Sequence, residues 1–311
     1  MHADTVSVVI PVFNSAATLP ELVRRLERVL APRGAAFEII PVNDGSRDRT
    51  WEVLRELAAG EPAVRGIDLG RNFGQHNALL CGIRAARMEV IVTLDDDLQN
   101  PPEEIPRLLE KLAEGHDVVY GVPRREQHGW WRDGASILTK RILRHVMGVA
   151  TARHVSAFRA FRTRQRDSFA EYRGPFVSID VLLSWGTNQF ASVGVRHEPR
   201  RVGRSNYNLR KLMIHGLNLL TGFSTAPLHL ASLVGLCAAV FGFVVLVAVV
   251  GRYLIEGSSV PGFPFLASII ALFAGIQMFT LGILGEYLAR IYYRMLDRPS
   301  YTIRHQVRED G

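Results

Sequence analysis

The chain of 311 residues is poor in cysteine, with Cys81 and Cys237 alone. Two cysteines so far apart match no metal-binding or redox motif, so we expect no disulfide framework and interpret both as buried small apolar residues. The sequence also lacks the Gly-x-Gly-x-x-Gly fingerprint of dinucleotide-binding domains and the Gly-Lys-Thr of a P-loop. No motif typical of nucleic-acid binding occurs, so we expect no nucleic-acid partner despite the net charge of +7.

The amino-terminal residues lack the basic region and the long apolar run of a signal peptide. The apolar residues 6–13 are few and include Pro11, and we interpret them as a first strand. Apolar residues are instead concentrated in two later runs, 228–250 and about 265–284. Each run is long enough to cross a hydrocarbon layer of about 30 Å, which predicts two membrane helices.

The charges around these two runs predict their orientation. The connector 251–264 holds one arginine and one glutamate, whereas several arginines and lysines precede the pair and follow it. By the positive-inside rule both flanks are cytoplasmic. Two buried helices of a soluble protein are the alternative interpretation.

Strand and helix signals alternate through the first half of the chain, which predicts a mostly parallel sheet with crossover helices. Polar residues follow the ends of four of these strands: Asn14, Asp44, Arg71 and Asp95 to Asp97. Ligands bind at the carboxyl edge of open parallel sheets. We therefore expect the four groups to form a single site.

An apolar strand runs directly into three carboxylates, Asp95, Asp96 and Asp97. If the strand continues through them, Asp95 and Asp97 point the same way. Two parallel carboxylates suit a hard divalent cation. The alternative is that these acids cap the helix expected over 103–112.

Two further segments have the pattern of amphipathic helices. Residues 130–147 and 209–223 each place apolar side chains on one face and arginine or lysine on the other. Such helices lie in a membrane interface, where basic side chains meet anionic headgroups. Either could instead be an ordinary helix that faces the core.

Five motifs together resemble the polyprenyl-phosphate glycosyltransferases of inverting family 2. They are Val-Ile-Pro-Val-Phe-Asn at 9–14, Asn-Asp-Gly-Ser at 43–46, Arg-Asn-Phe-Gly-Gln-His at 71–76, Asp-Asp-Asp-Leu-Gln-Asn-Pro-Pro-Glu-Glu-Ile-Pro at 95–106, and Leu-Gly-Glu-Tyr-Leu-Ala-Arg-Ile-Tyr at 284–292. The third and fourth most resemble the undecaprenyl-phosphate 4-deoxy-4-formamido-L-arabinose transferase branch, with bactoprenol glucosyltransferases and dolichol-phosphate mannose synthases as wider relatives. The resemblance implies an α/β protein of the GT-A fold, with interfacial amphipathic helices and two C-terminal transmembrane helices.

The resemblance also implies roles for individual residues. The residues expected to bind the nucleotide-sugar donor are Pro11, Phe13, Asp44, Arg71 and Asp95. Those expected to hold Mg²⁺ or Mn²⁺ against the donor diphosphate are Asp95, Asp97 and Gln99. Asp97 is expected to be catalytic through this metal. The expected catalytic arginines are Arg124, Arg159 and Arg201, which match or lie beside family arginines near the donor and acceptor phosphates. Our own hypothesis adds Arg204 to this clamp. The chain departs from the family pattern at Ser15, Ala157 and Asn206.

The expected activity is metal-dependent, inverting transfer of a sugar from a nucleotide to undecaprenyl phosphate, for envelope glycan or lipid modification. The expected organisation is a cytoplasmic GT-A domain at 1–206, an interfacial helix at 207–226, two membrane helices with a short extracytoplasmic loop at 227–290, and a cytoplasmic tail at 291–311. We expect a multi-pass protein of the bacterial cytoplasmic membrane with both termini cytoplasmic. A homo-oligomer is a further possibility, because relatives of this kind can self-associate.

Three other functions fit parts of the sequence. A membrane-anchored protein that binds nucleotide sugars without catalysis is the main alternative, because of Ser15 and Asn206. A processive polysaccharide synthase is disfavoured because the sequence lacks a Gln-x-x-Arg-Trp motif and further membrane spans. A transporter is disfavoured because two spans without a buried charge pathway form no conduit.

Overall fold

The computed structural model describes residues 4–124, 155–174, 176–198, 221, 223–256 and 262–308. The chain divides into two compact units. The first unit comprises Met1–Gly216 together with Arg298–Gly311, and the second comprises Leu217–Asp297. The two predicted amphipathic helices, 130–147 and 209–223, lie almost entirely outside the described residues.

The described part of the first unit is built on one eight-stranded sheet. Its strands are β1 Val6–Val12, β2 Phe37–Asn43, β3 Gly66–Leu69, β4 Val90–Thr93, β5 Val118–Pro123, β6 Arg159–Arg162, β7 Phe190–Val195 and β8 Ile303–Val307. Their order in the sheet is β7-β5-β6-β4-β1-β2-β3-β8. Strands β6 and β8 pair antiparallel with their neighbours, and the other strands run parallel to one another. This mostly parallel sheet confirms the predicted α/β class.

Helices cover both faces of the sheet. They are α1 Leu19–Leu30, α2 Thr50–Gly60, α3 Gln75–Ala85, α4 Ile105–Ala113 and α5 Ile179–Gly186, with short 3-10 turns at Ala31–Arg33, Pro102–Glu104 and Thr163–Phe169. Every residue of β1 is buried, because a parallel strand with helices on both sides must be apolar on both faces. Val8 and Ile10 belong to the apolar core that includes Leu22 and Leu26 of α1. Val9 points to the opposite face, against Gly82 of α3.

Part of the segment predicted as a tail over 291–311 belongs to the sheet, since Ile303–Val307 form strand β8. Strand β8 pairs antiparallel with β3, with Ile67 opposite Gln306 and Asp68 opposite His305. The His305 ring stacks on Trp51 of α2, with 6.4 Å between the ring centroids. A short edge strand whose partner is more than two hundred residues away has no local sequence signal.

The second unit contains two long helices, α6 Ala226–Glu256 and α7 Phe263–Met295. Each is longer than the predicted apolar run, and the segments Ala226–Arg252 and Leu272–Met295 are long and apolar enough to cross a membrane. Their large apolar side chains are exposed rather than packed in a core, so the alternative of two buried soluble helices is not supported. Cys237 on α6 is also exposed, which corrects its expected burial, whereas Cys81 is buried as expected.

Candidate active site

A cleft of about 310 Å³ lies at the carboxyl edge of the parallel strands. Strands β1, β2 and β4 end at this edge, and the loop between β3 and α3 closes one side of the cleft. The lining residues are Pro11, Val12, Phe13, Asp44, Asn72, Gly74, Gln75, Asp95, Asp96 and Asp97. The strand ends therefore bring together residues from four separate motifs.

The three aspartates lie on a turn and not on a strand. Strand β4 ends at Thr93, and Leu98 adopts a left-handed backbone conformation with φ of 61°. The prediction that Asp95 and Asp97 share a direction through strand alternation is therefore wrong, although both side chains line the cleft. The capping alternative is also wrong, because neither the 3-10 turn Pro102–Glu104 nor α4 has a side-chain cap.

Each aspartate of this turn has a different hydrogen-bond partner. The Nε2 atom of Gln75 donates to Oδ1 of Asp95 at 2.5 Å. The Gln99 amide donates to Oδ1 of Asp97 at 3.0 Å, while the Gln99 carbonyl accepts the Glu198 amide at 2.8 Å. Both outer carboxylates line the cleft, and an ionised carboxylate can accept several hydrogen bonds or ligate a cation.

Asp96 turns toward the end of β1 and holds the residues that follow it. Its Oδ2 atom accepts the Phe13 amide at 3.2 Å and also the Ser15 hydroxyl. Burial raises the pKa of Asp96, although the hydrogen bonds from Ser15 and Phe13 act in the opposite direction. Ser15, one of the predicted departures from the family pattern, is therefore part of the support for Phe13.

Asp44, at the end of β2, fixes the loop that closes the cleft. Its two carboxylate oxygens accept the backbone amides of Phe73 at 2.7 Å and Gly74 at 2.9 Å. Burial raises the pKa of Asp44, and the two amide hydrogen bonds oppose this shift. Gly45 has φ of +67°, and a Cβ atom there would lie 2.5 Å from backbone atoms of Arg71 and Asn72. Only glycine allows this close approach of the two loops.

Of the predicted nucleotide-binding residues Phe13 and Arg71, Phe13 lines the cleft and Arg71 does not. The Phe13 ring lines the cleft and is 45% exposed, although it is a large apolar group. Arg71 is not among the lining residues; its guanidinium carbon lies 4.6 Å from the centroid of the Phe73 ring. Pro11 lines the cleft as the penultimate residue of β1. An exposed aromatic face next to carboxylates suits a nucleotide base.

Arg124 and Arg159, both predicted phosphate ligands, lie outside the cleft lining. Arg124 directly follows β5 at the carboxyl edge, where it is exposed and its Nε atom donates to the Gly194 carbonyl at 3.3 Å. Arg159 is 2% exposed. Its guanidinium pairs with Asp180 of α5 and donates to Oγ1 of Thr93 at 3.1 Å. This placement favours a structural role for Arg159 over the predicted phosphate contact.

The remaining predicted arginines, Arg201 and Arg204, and the departure at Asn206 lie in segment 199–220, outside the described residues. Glu198, the last described residue before that segment, lies beside the aspartate turn, because its backbone amide donates to the Gln99 carbonyl. Ala157, the third departure, uses its carbonyl to accept the Thr93 hydroxyl at 2.7 Å.

Five cleft residues had no individual role predicted from the sequence: Val12, Asn72, Gly74, Gln75 and Asp96. Val12, Asn72 and Asp96 each adjoin a predicted residue in the chain, and Gly74 and Gln75 lie in the quoted motif at 71–76. Proximity in these motifs is the sequence signal that could have identified them.

The carboxylates fit a metal that is shared with a bound phosphate. Within the described residues, no group of three or more histidine, cysteine, aspartate or glutamate side chains is placed to hold a metal ion alone. Mg²⁺ sites typically use one or two carboxylates and complete their shell with substrate phosphates and water. Asp95 and Asp97 are two carboxylates that line the same cleft, so they fit a site of this kind.

Comparisons with known proteins agree with this geometry. Residues 7–172 match the family model described as glycosyl transferase family 2. The chain is 39% identical over 308 residues to the undecaprenyl-phosphate 4-deoxy-4-formamido-L-arabinose transferase of Pseudomonas aeruginosa (strain LESB58), which covers 98% of this chain and 91% of that protein. For the transferase of the same name from Enterobacter sp. (strain 638), identity is 37% over 306 residues, with 97% and 93% covered.

Solved structures with the same architecture include glucosyl-3-phosphoglycerate synthase from Mycobacterium tuberculosis, in complex with Mn²⁺, uridine diphosphate and glucosyl-3-phosphoglycerate. This structure matches with a TM-score of 0.53 and 20% sequence identity, over 70% of this chain and 78% of the synthase chain. At this identity the likeness concerns the fold, which is the expected GT-A fold.

Proposed function

Since the chain belongs to glycosyl transferase family 2 and is a glycosyltransferase, we propose that it moves a sugar from a nucleotide donor to undecaprenyl phosphate. The relatives from Pseudomonas aeruginosa and Enterobacter are named for that acceptor and for the sugar 4-deoxy-4-formamido-L-arabinose. The same sugar is our first candidate for this chain. The observation that carries the proposal is the cleft, which combines an exposed aromatic ring, Phe13, with the carboxylates Asp95 and Asp97.

The donor occupies the cleft in this proposal. The exposed ring of Phe13 stacks on the nucleotide base, and the loop fixed by Asp44 covers the ribose. Asp95 and Asp97 hold a divalent ion, Mg²⁺ or Mn²⁺, against the diphosphate, with Gln99 in the same turn. Such an ion acts as a Lewis acid and neutralises charge on the departing nucleoside diphosphate.

The acceptor needs little activation. A phosphomonoester has a second pKa near 6, so undecaprenyl phosphate reaches the site largely as a dianion at neutral pH. The protein then has to bring two anions together. Arginine suits this task because its planar guanidinium forms paired hydrogen bonds with phosphate. We assign phosphate binding to Arg124, at the carboxyl edge, and to Arg201 and Arg204, which come shortly after Glu198 in the sequence.

The pairing of β8 with β3 supports the proposed membrane topology. The two long helices are inserted between Gly216 and Arg298, and the residues on both sides of the insertion belong to one unit. Two flanks that share one sheet must lie on the same side of a bilayer, so the number of spans between them is even. We propose that α6 and α7 cross the bacterial inner membrane as a hairpin with a short extracytoplasmic loop, while residues 1–206 and the carboxyl terminus are cytoplasmic.

A transfer assay with the purified full-length chain tests the proposal. The protein is incubated with polyprenyl phosphate and a panel of nucleotide sugars that includes the nucleotide-linked 4-deoxy-4-formamido-L-arabinose, and the lipid fraction is analysed by mass spectrometry. We expect a polyprenyl-phosphate sugar from one donor. A protein that binds a donor but forms no lipid-linked product would contradict transfer and favour the non-catalytic alternative.

A further inference from the structure

Strand β8 contacts the donor-site loop directly. The Gly70 amide donates to the Thr302 carbonyl at 2.8 Å, and the Arg304 guanidinium donates to the Gly70 carbonyl. Gly70 is followed by the loop whose amides bind Asp44 at the cleft. The carboxyl-terminal segment thus holds the start of the loop that closes the cleft.

Arg304 also lies at one end of a series of polar contacts that links the carboxyl ends of strands β3, β2 and β1. Its Nη1 atom lies 3.8 Å from Oδ2 of Asp68, a carboxylate that is 3% exposed. Oδ1 of Asp68 accepts a hydrogen bond from Nδ2 of Asn43 at 2.7 Å. The arginine therefore supplies positive charge to a buried acid that is bonded to the end of β2.

The series continues to the residue after Phe13. Oδ1 of Asn43 accepts the Ser46 hydroxyl at 2.5 Å, and the hydroxyl oxygen of Ser46 accepts the Asn14 amide at 2.9 Å. Asn14 has a left-handed backbone with φ of 55°, which asparagine tolerates better than most residues. Its conformation sets how the chain leaves β1 at the exposed ring.

We propose that Arg304 is a positioning residue of the donor site, acting through Gly70 on the 71–74 loop and through Asp68 on the Asn14 turn. This inference rests on the proposed function, because it assumes that the cleft binds a nucleotide. Arg304 itself lies outside the cleft lining. It would join the segment that follows the membrane helices to the two loops that shape the cleft.

The test measures nucleotide affinity of the full-length chain in detergent by isothermal titration, with Mn²⁺ present and uridine, guanosine, adenosine, cytidine and thymidine diphosphates as probes. The tightest probe is then titrated into Arg304→Ala, Arg304→Lys and Arg308→Ala. Arg308 is a matched control, because it is an exposed arginine after the same strand that donates to the Glu61 carbonyl at 3.3 Å. Thermal unfolding of every variant is recorded in parallel.

We expect Arg304→Ala to weaken binding roughly 3- to 30-fold, the range typical of changes along contact networks. Arg304→Lys should fall between it and the wild type, and Arg308→Ala should bind as the wild type does. The Arg304 side chain is 54% exposed, so its loss opens no core cavity. Because Arg304→Ala also removes the positive charge beside Asp68, its melting temperature should fall below that of Arg304→Lys, which keeps the charge.

Equal affinity of Arg304→Ala and the wild type would overturn the inference, as would equal weakening by Arg308→Ala, since strand docking alone would then explain the effect. If Arg304→Ala fails to fold, Arg304→Lys decides, and unchanged affinity overturns the inference. A wild-type chain that binds none of the five nucleotides would instead overturn the proposed function itself.

Discussion

Replacing Arg159 with alanine removes the cation from a buried polar network, and we expect it to destabilise the fold. Arg159 pairs with Asp180 and donates to Thr93. The Tyr120 hydroxyl donates to the same Asp180 oxygen at 3.0 Å. All of these groups are buried, so water cannot replace the lost guanidinium.

The expected magnitude follows from the charge that remains. Asp180 is 6% exposed, and removing one partner of a buried ion pair costs about 3 to 5 kcal/mol. For a domain of about 200 residues, 1 kcal/mol shifts the melting temperature by about 2 to 4 °C. Arg159→Ala should therefore melt about 6 to 20 °C below the wild type.

The assay is thermal unfolding of wild type, Arg159→Ala, Asp180→Ala and the double variant in one detergent. Because the double variant carries no unpaired charge, its loss should be smaller than the sum of the two single losses. An unchanged melting temperature for Arg159→Ala together with lost sugar transfer would refute this reasoning and restore Arg159 to the phosphate clamp.

Two further perturbations test the supports of the cleft. Gly45→Ala should lower stability by about 1 to 3 kcal/mol through its positive φ and should also weaken nucleotide binding, because its Cβ would meet the backbone at Arg71 and Asn72. Gly34→Ala is the matched control, since Gly34 has φ of +68° and nothing within 4 Å of the added Cβ; equal nucleotide affinity of the two variants would contradict the loop contact. Burial raises the pKa of Asp96 in the folded protein. Protonation of Asp96 therefore stabilises the fold, and this contribution is fully present below the unfolded-state pKa of about 3.9. It is lost as pH rises through the higher folded-state pKa. Asp96→Asn should therefore gain stability relative to the wild type as pH rises through that window in thermal melts, and the opposite trend would contradict the assigned shift.

Local sequence patterns predicted most of the strands and the edge where the site lies. The run of apolar residues in β1 and the acids after β4 are short-range signals, and parallel strands place their ends at one edge whatever the loops do. The exact backbone at the acids was not predictable in this way. Whether β4 continues to Asp97 or ends at Thr93 depends on a turn whose left-handed residue is leucine, a residue type that rarely marks such turns.

Contacts between distant segments account for the other differences. Arg159 resembles a phosphate ligand in sequence because its partner, Asp180, lies on a separate helix. Ser15 and Asp96 are 81 residues apart, and β8 joins β3 across both long helices. None of these pairings leaves a periodic pattern in the chain, so the structure was needed to assign them.

Manganese binding in the presence of nucleotide tests the central claim most directly. The claim is that Asp95 and Asp97 hold a divalent ion together with the donor diphosphate. Free Mn²⁺ is followed by its electron paramagnetic resonance signal while the full-length chain is titrated, with the preferred nucleoside diphosphate at a constant concentration.

Asp97→Asn is compared with the wild type and with Asp167→Asn, a matched change at an exposed aspartate far from the cleft in sequence. We predict that the wild type and Asp167→Asn remove free Mn²⁺ equally, and that Asp97→Asn binds it at least about tenfold more weakly, the loss of about 1.4 kcal/mol. Equal Mn²⁺ binding by Asp97→Asn and the wild type would contradict the account.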